Sequence, residues 1–206
     1  MANPSPEAMR ELLNLPAGPQ PWIASFIDHT FLKPEGIDED IERLCDEARE
    51  HKFYAVCVYP RFVGLARKLL SGSGVRVAAV AGFPTGADPT ETKVREALAA
   101  IEAGADEIDM VIDVAKLRAG LLAEAALDVE AVVKACGAVP VKVILETCLL
   151  SEEEKVAAGT LARNAGAAFL KTSTGFSTGG ATEADVALLR QIAGPSMGVK
   201  ASGGVR

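Results

Sequence analysis

From Trp22 onward, nearly continuous apolar runs alternate with segments whose apolar residues recur at helical spacing. The runs are Trp22 to Ile27, Tyr54 to Val58, Val75 to Ala81, Glu107 to Ile112, Val141 to Glu146, Ala168 to Thr172 and Met197 to Ala201. Unbroken apolar runs of this length are expected of parallel strands covered on both sheet faces. Between them the period changes. Ile37, Ile41, Leu44, Cys45 and Ala48 form a helical stripe. Asp88-Pro89-Thr90-Glu91 predicts an N-cap, a proline at the first helical position and an acid at the third. Ser151-Glu152-Glu153-Glu154 reads as a capping box, and Gly104, Gly166 and Gly194-Pro195 read as helix stops. Ahead of this alternation, Met9-Arg10-Glu11-Leu12-Leu13 predicts a short helix, joined by the breaker-rich Pro16-Ala17-Gly18-Pro19-Gln20-Pro21. Residues 1–21 are therefore expected to be a leading helix and linker, and residues 22–206 the main unit.

Seven βα steps without a long interruption predict an α/β fold of the (β/α)8 barrel type, for which about 250 residues is usual. A doubly wound open sheet is the competing architecture, and it normally carries a glycine-rich phosphate turn after its first strand. Here the first run leads into Asp28-His29-Thr30-Phe31-Leu32-Lys33-Pro34, which favours the barrel. A barrel closes with eight strands, and the seventh run ends near Ala201. The expectation is thus a barrel whose eighth strand is missing from these 206 residues, with a gap between strands one and seven.

Composition narrows the partners. The 206 residues are 49% hydrophobic and 24% charged, enough for one substantial core. A net charge of −7 offers no basic excess to draw in nucleic acid or an anionic membrane. A small phosphorylated compound is not excluded, because backbone amides and one or two cations bind it locally. The four cysteines, Cys45, Cys57, Cys136 and Cys148, form no CxxC pair, and there are two histidines, so no metal site is expected. The first residues lack a signal-peptide pattern and no apolar run reaches membrane-spanning length, so the chain reads as cytoplasmic with reduced thiols.

In a barrel of this type, chemistry collects at the C-terminal ends of the strands. The polar residues read there are Asp28 and Thr30, Cys57, Thr85-Gly86, Asp109, Lys142 and Glu146, Lys171 and Lys200. Two lysines at the ends of neighbouring apolar strands, each followed by a loop of small residues, stand out. Free lysine titrates near ~10.4, so about one amine in a few thousand is neutral at pH 7. Burial and a second ammonium both favour the neutral, nucleophilic form that Schiff-base chemistry requires. Lys200 is expected to hold the Lys171 pKa down. Each residue also has a plainer reading. A lone strand-end lysine is commonly a solvated rim charge, and Thr85-Gly86 a simple turn. Cys57 suits a small buried apolar position. Asp109, between isoleucine and methionine, is costly unless paired, which points to an ion pair with Lys142 or Lys200. Whether Lys142 faces inward is left open by its alternation with Ile144 and Glu146.

Asp28-His29-Thr30, Val56-Cys57-Val58-Tyr59-Pro60, Asp106-Glu107-Ile108-Asp109, Lys171-Thr172-Ser173-Thr174-Gly175 and Lys200-Ala201-Ser202-Gly203-Gly204-Val205-Arg206 together resemble the deoxyribose-phosphate aldolase family. The resemblance runs from about Ile27 to Arg206, with its motifs in the family's order. It implies reversible cleavage of 2-deoxy-D-ribose 5-phosphate to D-glyceraldehyde 3-phosphate and acetaldehyde, with no cofactor. It assigns Lys171 to the Schiff base, Lys200 to the second lysine and Asp109 to acid–base work. Substrate contacts are expected at Asp28, Thr30, Cys57, Thr174, Gly175, Gly203 and Gly204, the last two as part of a phosphate cradle. A homodimer or higher homo-oligomer is implied. The alternatives are another Schiff-base barrel aldolase acting on a different sugar phosphate, or an inactive truncated barrel.

Overall fold

A computed structural model describes residues 21–205. Its strands are β1 (Asp28–Phe31), β2 (Ala55–Val58), β3 (Arg76–Ala81), β4 (Glu107–Val111), β5 (Val141–Ile144), β6 (Phe169–Lys171) and β7 (Gly198–Lys200). All are parallel and lie side by side in chain order, β1 to β7. That order never reverses, so there is no topological switch point and the doubly wound alternative falls. Seven α-helices connect the described strands: α1 (Asp38–His51), α2 (Val63–Leu69), α3 (Thr90–Glu102), α4 (Val114–Arg118), α5 (Leu122–Cys136), α6 (Glu152–Asn164) and α7 (Glu183–Ala193). The result is a parallel α/β half-barrel, with β1 and β7 as its unpaired edges.

Side-chain alternation sorts each strand into two populations. Val56, Val77, Ala79, Ile108, Met110, Val143 and Leu170 face the helices and build the main core with Ile41, Leu44, Ala97, Val129 and Leu189. The opposite face carries a much smaller apolar cluster, Leu32, Cys57, Ala78 and Val80. Charged residues occupy most of the rest of that inner face. The strands therefore read as apolar runs although many of their inward positions are charged.

Local signals account for most helix boundaries. Ser151 Oγ accepts from the Glu154 amide at 3.2 Å while Glu154 Oε2 accepts from the Ser151 amide at 2.7 Å, the reciprocal bonds of a capping box. At α3 the cap is displaced by one residue: Pro89, extended at ψ 146°, takes the N-cap position and Asp88 makes no cap bond. The first predicted strand is corrected as well. Residues Pro21–Phe26 form a 3-10 turn, and pairing begins only at Asp28. Trp22 and Phe26 are 58% and 69% exposed, so this apolar run is not a core strand. The helix expected at Met9–Leu13, and with it the proposed leading segment, lies outside the described residues.

Candidate active site

The strand registers bring the inner charged residues together. β4 presents Glu107 and Asp109 on one face, and the β4–β5 register sets Asp109 level with Lys142. The β5–β6 register sets Lys171 level with Ile144, one inward position nearer the C-terminal end than Lys142. Both ammonium groups converge on one carboxylate. Lys142 Nζ donates to Asp109 Oδ1 at 2.7 Å and Lys171 Nζ to Oδ2 at 2.6 Å, all three side chains being buried. Lys142 also lies 2.5 Å from Glu107 Oε2 and 3.6 Å from Asp28 Oδ2. Glu107 is held from below by the Tyr54 hydroxyl at 2.6 Å and Arg76 at 3.2 Å, with the Arg76 guanidinium stacked 4.8 Å over the Tyr54 ring. Lys200 Nζ donates to the Phe26 carbonyl at 3.2 Å and pairs with Asp28 Oδ2 at 2.9 Å. Asp28, Glu107 and Asp109 thus face Lys142, Lys171 and Lys200 across the interior, with the half-exposed Arg76 as a further cation beside Glu107.

The electrostatics differ from the expectation in one respect. Burial pushes the Lys171 ammonium toward neutrality, but the adjacent Asp109 carboxylate outweighs it, so the Lys171 pKa is raised. The cation that acts against this is Lys142, which shares Asp109, whereas Lys200 is turned toward β1. Lys171 and Lys200 are register partners, yet Lys200 is 20% exposed and leans across the open edge to Asp28. Burial likewise works to raise the Asp109 carboxyl, and Lys171 and Lys142 overcome it, leaving Asp109 well below the usual carboxylate range. Burial, followed by the Asp109 charge, pushes the Cys57 thiol up to about 12.

The two lysine-bearing loops are bonded to each other. Thr172 Oγ1 donates to the Ser202 carbonyl and accepts from the Ser202 amide, both at 3.0 Å. Ser202 Oγ donates to the Ser173 carbonyl at 2.6 Å. A Cβ on Gly180 would fall 2.2 Å from the Gly203 carbonyl oxygen, so the loops touch backbone to backbone. Gly175 and Gly203, at φ 85° and 78°, adopt the left-handed conformation that glycine tolerates and lie against one another. Glu146 controls the Thr174 corner. It is buried, has a left-handed φ of 56°, and accepts from both the Thr174 amide and the Thr174 hydroxyl. A non-glycine residue at such a φ costs about 1–3 kcal/mol, and these bonds offset it. Above the strands, Phe83 meets Tyr59 and Phe176 edge-on, at 6.0 Å and 5.2 Å between ring centres. Loops after β2, β3 and β6 are joined there.

Of the residues singled out in the sequence, the structure brings together Asp109, Lys171, Asp28 and Lys200 through charge, and Cys57 through packing. Thr174, Gly175 and Gly203 gather on the loops above. Thr30 is not gathered in: it is exposed, and its hydroxyl donates to the Asp28 carbonyl at 2.9 Å. Gly204, at φ 78°, has open space around it. Sequence reasoning left Lys142 undecided and missed Glu107 as its partner. The signal was present in the alternation Glu107-Ile108-Asp109 beside Val141-Lys142-Val143.

A buried lysine–aspartate pair inside a parallel barrel wall agrees with the comparisons to known proteins. The profile of the DeoC/LacD family of aldolases matches residues 23–206. The chain belongs to that family. The deoxyribose-phosphate aldolase of Streptococcus gordonii is 58% identical over 184 residues, 89% of this chain and 84% of that protein. The deoxyribose-phosphate aldolase of Thermococcus gammatolerans is 57% identical over 189 residues, with the same coverage of 89% and 84%. Among solved structures, the tetrameric deoxyribose phosphate aldolase of Aeropyrum pernix superposes with a TM-score of 0.86 at 35% identity, covering 98% of this chain and 86% of that one.

Proposed function

We propose that the chain is a class I aldolase, a carbon–carbon lyase that reversibly cleaves 2-deoxy-D-ribose 5-phosphate to D-glyceraldehyde 3-phosphate and acetaldehyde. Lys171 forms the Schiff base. The observation that carries this reading is the Lys171–Asp109 pair, buried at 2.6 Å on the inner face of the barrel wall. Lys171 is charged in that pair, so the reaction starts when Asp109 takes its proton. The neutral amine attacks the C1 aldehyde of the open-chain sugar, and loss of water leaves a protonated imine. Removal of the C3 hydroxyl proton lets C3 become the aldehyde of the departing triose phosphate. The electrons of the C2–C3 bond move into the iminium to give an enamine. Protonation at C2 and hydrolysis release acetaldehyde and restore Lys171. Asp109 relays protons, a role worth about 10²- to 10⁴-fold in such reactions. Lys200 is the second lysine of the site, level with Lys171 on the next strand and held in place by Asp28.

Substrate contacts are proposed at Asp28, Thr30, Cys57, Thr174, Gly175, Gly203 and Gly204, with the bonded loops after β6 and β7 presenting backbone amides to the phosphate. The half-barrel is proposed to be of the (β/α)8 type, and the protein to work in the cytoplasm as a homo-oligomer. Among the described residues no helix is long and apolar enough to cross a membrane. Borohydride reduction in the presence of acetaldehyde, followed by peptide mapping, tests the proposal. An ethyl group on Lys171 is expected, together with turnover of deoxyribose 5-phosphate ahead of other sugar phosphates. An adduct on Lys142 or Lys200 would reassign the nucleophile, and preference for another sugar phosphate would reassign the substrate.

A further inference from the structure

We infer that Lys93 and Glu96, on the inner face of α3, are positioning residues: they hold the loop after β3, with its Phe83, above the wall beside the Lys171–Asp109 pair and so keep water from that pair. The chemistry proposed above uses neither residue. They lie three positions apart in the helix and so share one face. Lys93 is fully buried, and its Nζ donates to Asp128 Oδ2 at 2.6 Å and to the Val111 carbonyl at 3.1 Å. The other oxygen of Asp128 accepts from the Thr90 hydroxyl at 2.7 Å. A buried ion pair commonly adds no net stability over apolar residues of the same volume. What this one fixes is a place: it ties α3 to α5 and to the C-terminal end of β4.

The loop rests directly on that anchor. A Cβ on Gly82 would fall 2.9 Å from Lys93 Cε, so the loop backbone lies against the lysine stem with no side chain between them. The Gly82 amide donates to Glu96 Oε2 at 2.8 Å, and the Gly82 carbonyl accepts from the Gly86 amide at 2.8 Å. A Cβ on Gly86 would fall 2.1 Å from the carbonyl oxygen of Ile112, the residue after the Val111 that Lys93 holds. The loop is thus gripped at one end by α3 and at the other by the exit of β4. Phe83 stands between the two grips. It packs on the inner cluster of Leu32, Cys57, Ala78 and Val80 and meets Tyr59 and Phe176 edge-on. Val80 is the register partner of Asp109, so this aromatic layer roofs the wall next to the reacting pair.

What the roof is worth rests on the aldolase reading above. Water admitted beside the pair would screen it and hydrolyse the protonated imine before the carbon–carbon bond breaks. The phosphate is proposed to lie at other loops, those after β6 and β7. Loosening the Phe83 loop should therefore slow turnover more than it weakens affinity.

Native-state labelling with iodoacetamide tests the anchorage on the full chain. Cys57 reports the roof, and Cys45, buried in α1, reports global opening. Glu96→Leu removes the acceptor for the Gly82 amide, whereas Glu96→Gln keeps one. Lys93→Met keeps the stem and cuts both of its bonds; adding Asp128→Asn also removes the carboxylate left unpaired and should restore much of the urea midpoint. Glu96→Leu, Lys93→Met and the double variant should each label Cys57 at least about tenfold faster with Cys45 still protected, and lower kcat about ten- to a hundredfold with KM little changed. Glu96→Gln should stay near wild type. Cys57 labelling that is unchanged, or that rises only together with Cys45, would overturn the inference. So would a double variant whose kcat returns with its urea midpoint, because the pair would then be an ordinary structural bridge. A wild-type chain without aldolase turnover, but with Cys57 responding as expected, would overturn the proposed function and leave the anchorage of the loop standing.

Discussion

Lys142 is the cation on which the interior charge balance depends, and Lys142→Met tests that directly. The side chain is 2% exposed, and three carboxylates lie within 4.0 Å of its ammonium: Glu107 at 2.5 Å, Asp109 at 2.7 Å and Asp28 at 3.6 Å. Methionine fills a similar volume, so packing is nearly conserved and the change is chiefly one of charge. Breaking a buried pair by removing one partner costs about 3–5 kcal/mol. Domains of this size are stable by about 5–15 kcal/mol, so the variant should fold with a large part of its stability gone. Urea unfolding at several pH values measures the deficit. With Lys142 gone, Asp109 keeps Lys171 and Asp28 keeps Lys200, but Glu107 keeps only the half-exposed Arg76 at 3.2 Å, so its buried carboxylate is the least compensated and its folded-state pKa rises above its unfolded value. The folded state then holds a proton that the unfolded state releases near neutrality, so stability falls as pH rises. The deficit should be larger at pH 8 than at pH 5. Adding Glu107→Gln removes one carboxylate and should recover part of the loss, while the amide oxygen still accepts from Tyr54. A deficit below about 1 kcal/mol, or one that does not change with pH, would refute the reasoning, because that is the size expected of an exposed pair.

Three further outcomes follow from the same geometry. Lys200→Leu should leave the acidic limb of the pH–rate profile near its wild-type position, because Lys200 pairs with Asp28 and Lys142 is the cation acting on Lys171; a limb moved to higher pH would make Lys200 the lysine that holds the Lys171 pKa down. Glu146→Gln keeps the left-handed backbone but weakens the acceptor for Thr174, so KM for the phosphorylated substrate should rise several-fold with a smaller change in kcat; equal loss in both would place Glu146 in the chemistry itself. Timed alkylation near pH 7.5 should label the exposed Cys148 first, while buried Cys57, with its thiol pushed up to about 12, should react only after unfolding; early labelling of Cys57 would show that the site opens.

The sequence disclosed the fold through its apolar runs. Six of the seven expected strands coincide with observed ones to within one or two residues at each end, because central parallel strands bury both faces and leave no ambiguity of type. The first failed for a physical reason. Trp22, Ile23 and Phe26 look like strand residues, but they lie on an exposed 3-10 turn, and the strand ladder begins only at Asp28. The site was legible as a set of residues and much less so as a network. Lys171 and Asp109 are far apart in the chain and meet only through the β4–β5–β6 registers. Alternation alone could not decide that Lys142 faces inward. Nor could sequence show that Lys200, level with Lys171, reaches the other way across the edge to Asp28.

That arrangement changes how the proposed chemistry must begin. The sequence suggested an amine made neutral in advance by a neighbouring lysine. In the structure Lys171 rests as a cation against Asp109, and the field of that carboxylate exceeds the effect of burial. Release of the Lys171 proton to water would change the net charge of the interior by one and take from Asp109 the nearer of its two cations, a loss of compensation of the kind that interiors resist. Transfer across the 2.6 Å hydrogen bond to Asp109 leaves the net charge of the interior unchanged. The cost is then the difference in proton affinity between the two groups. Lys142, on the other oxygen of Asp109, lowers the proton affinity of both groups, acting on Asp109 through a direct hydrogen bond and on Lys171 through its charge. It also keeps Asp109 anionic once the imine has formed, when the protonated imine nitrogen takes the place of the Lys171 ammonium as a positive partner. The same Asp109 carboxylate that makes the resting amine a poor nucleophile thus stabilises the cationic intermediate that follows, which is the state catalysis has to favour.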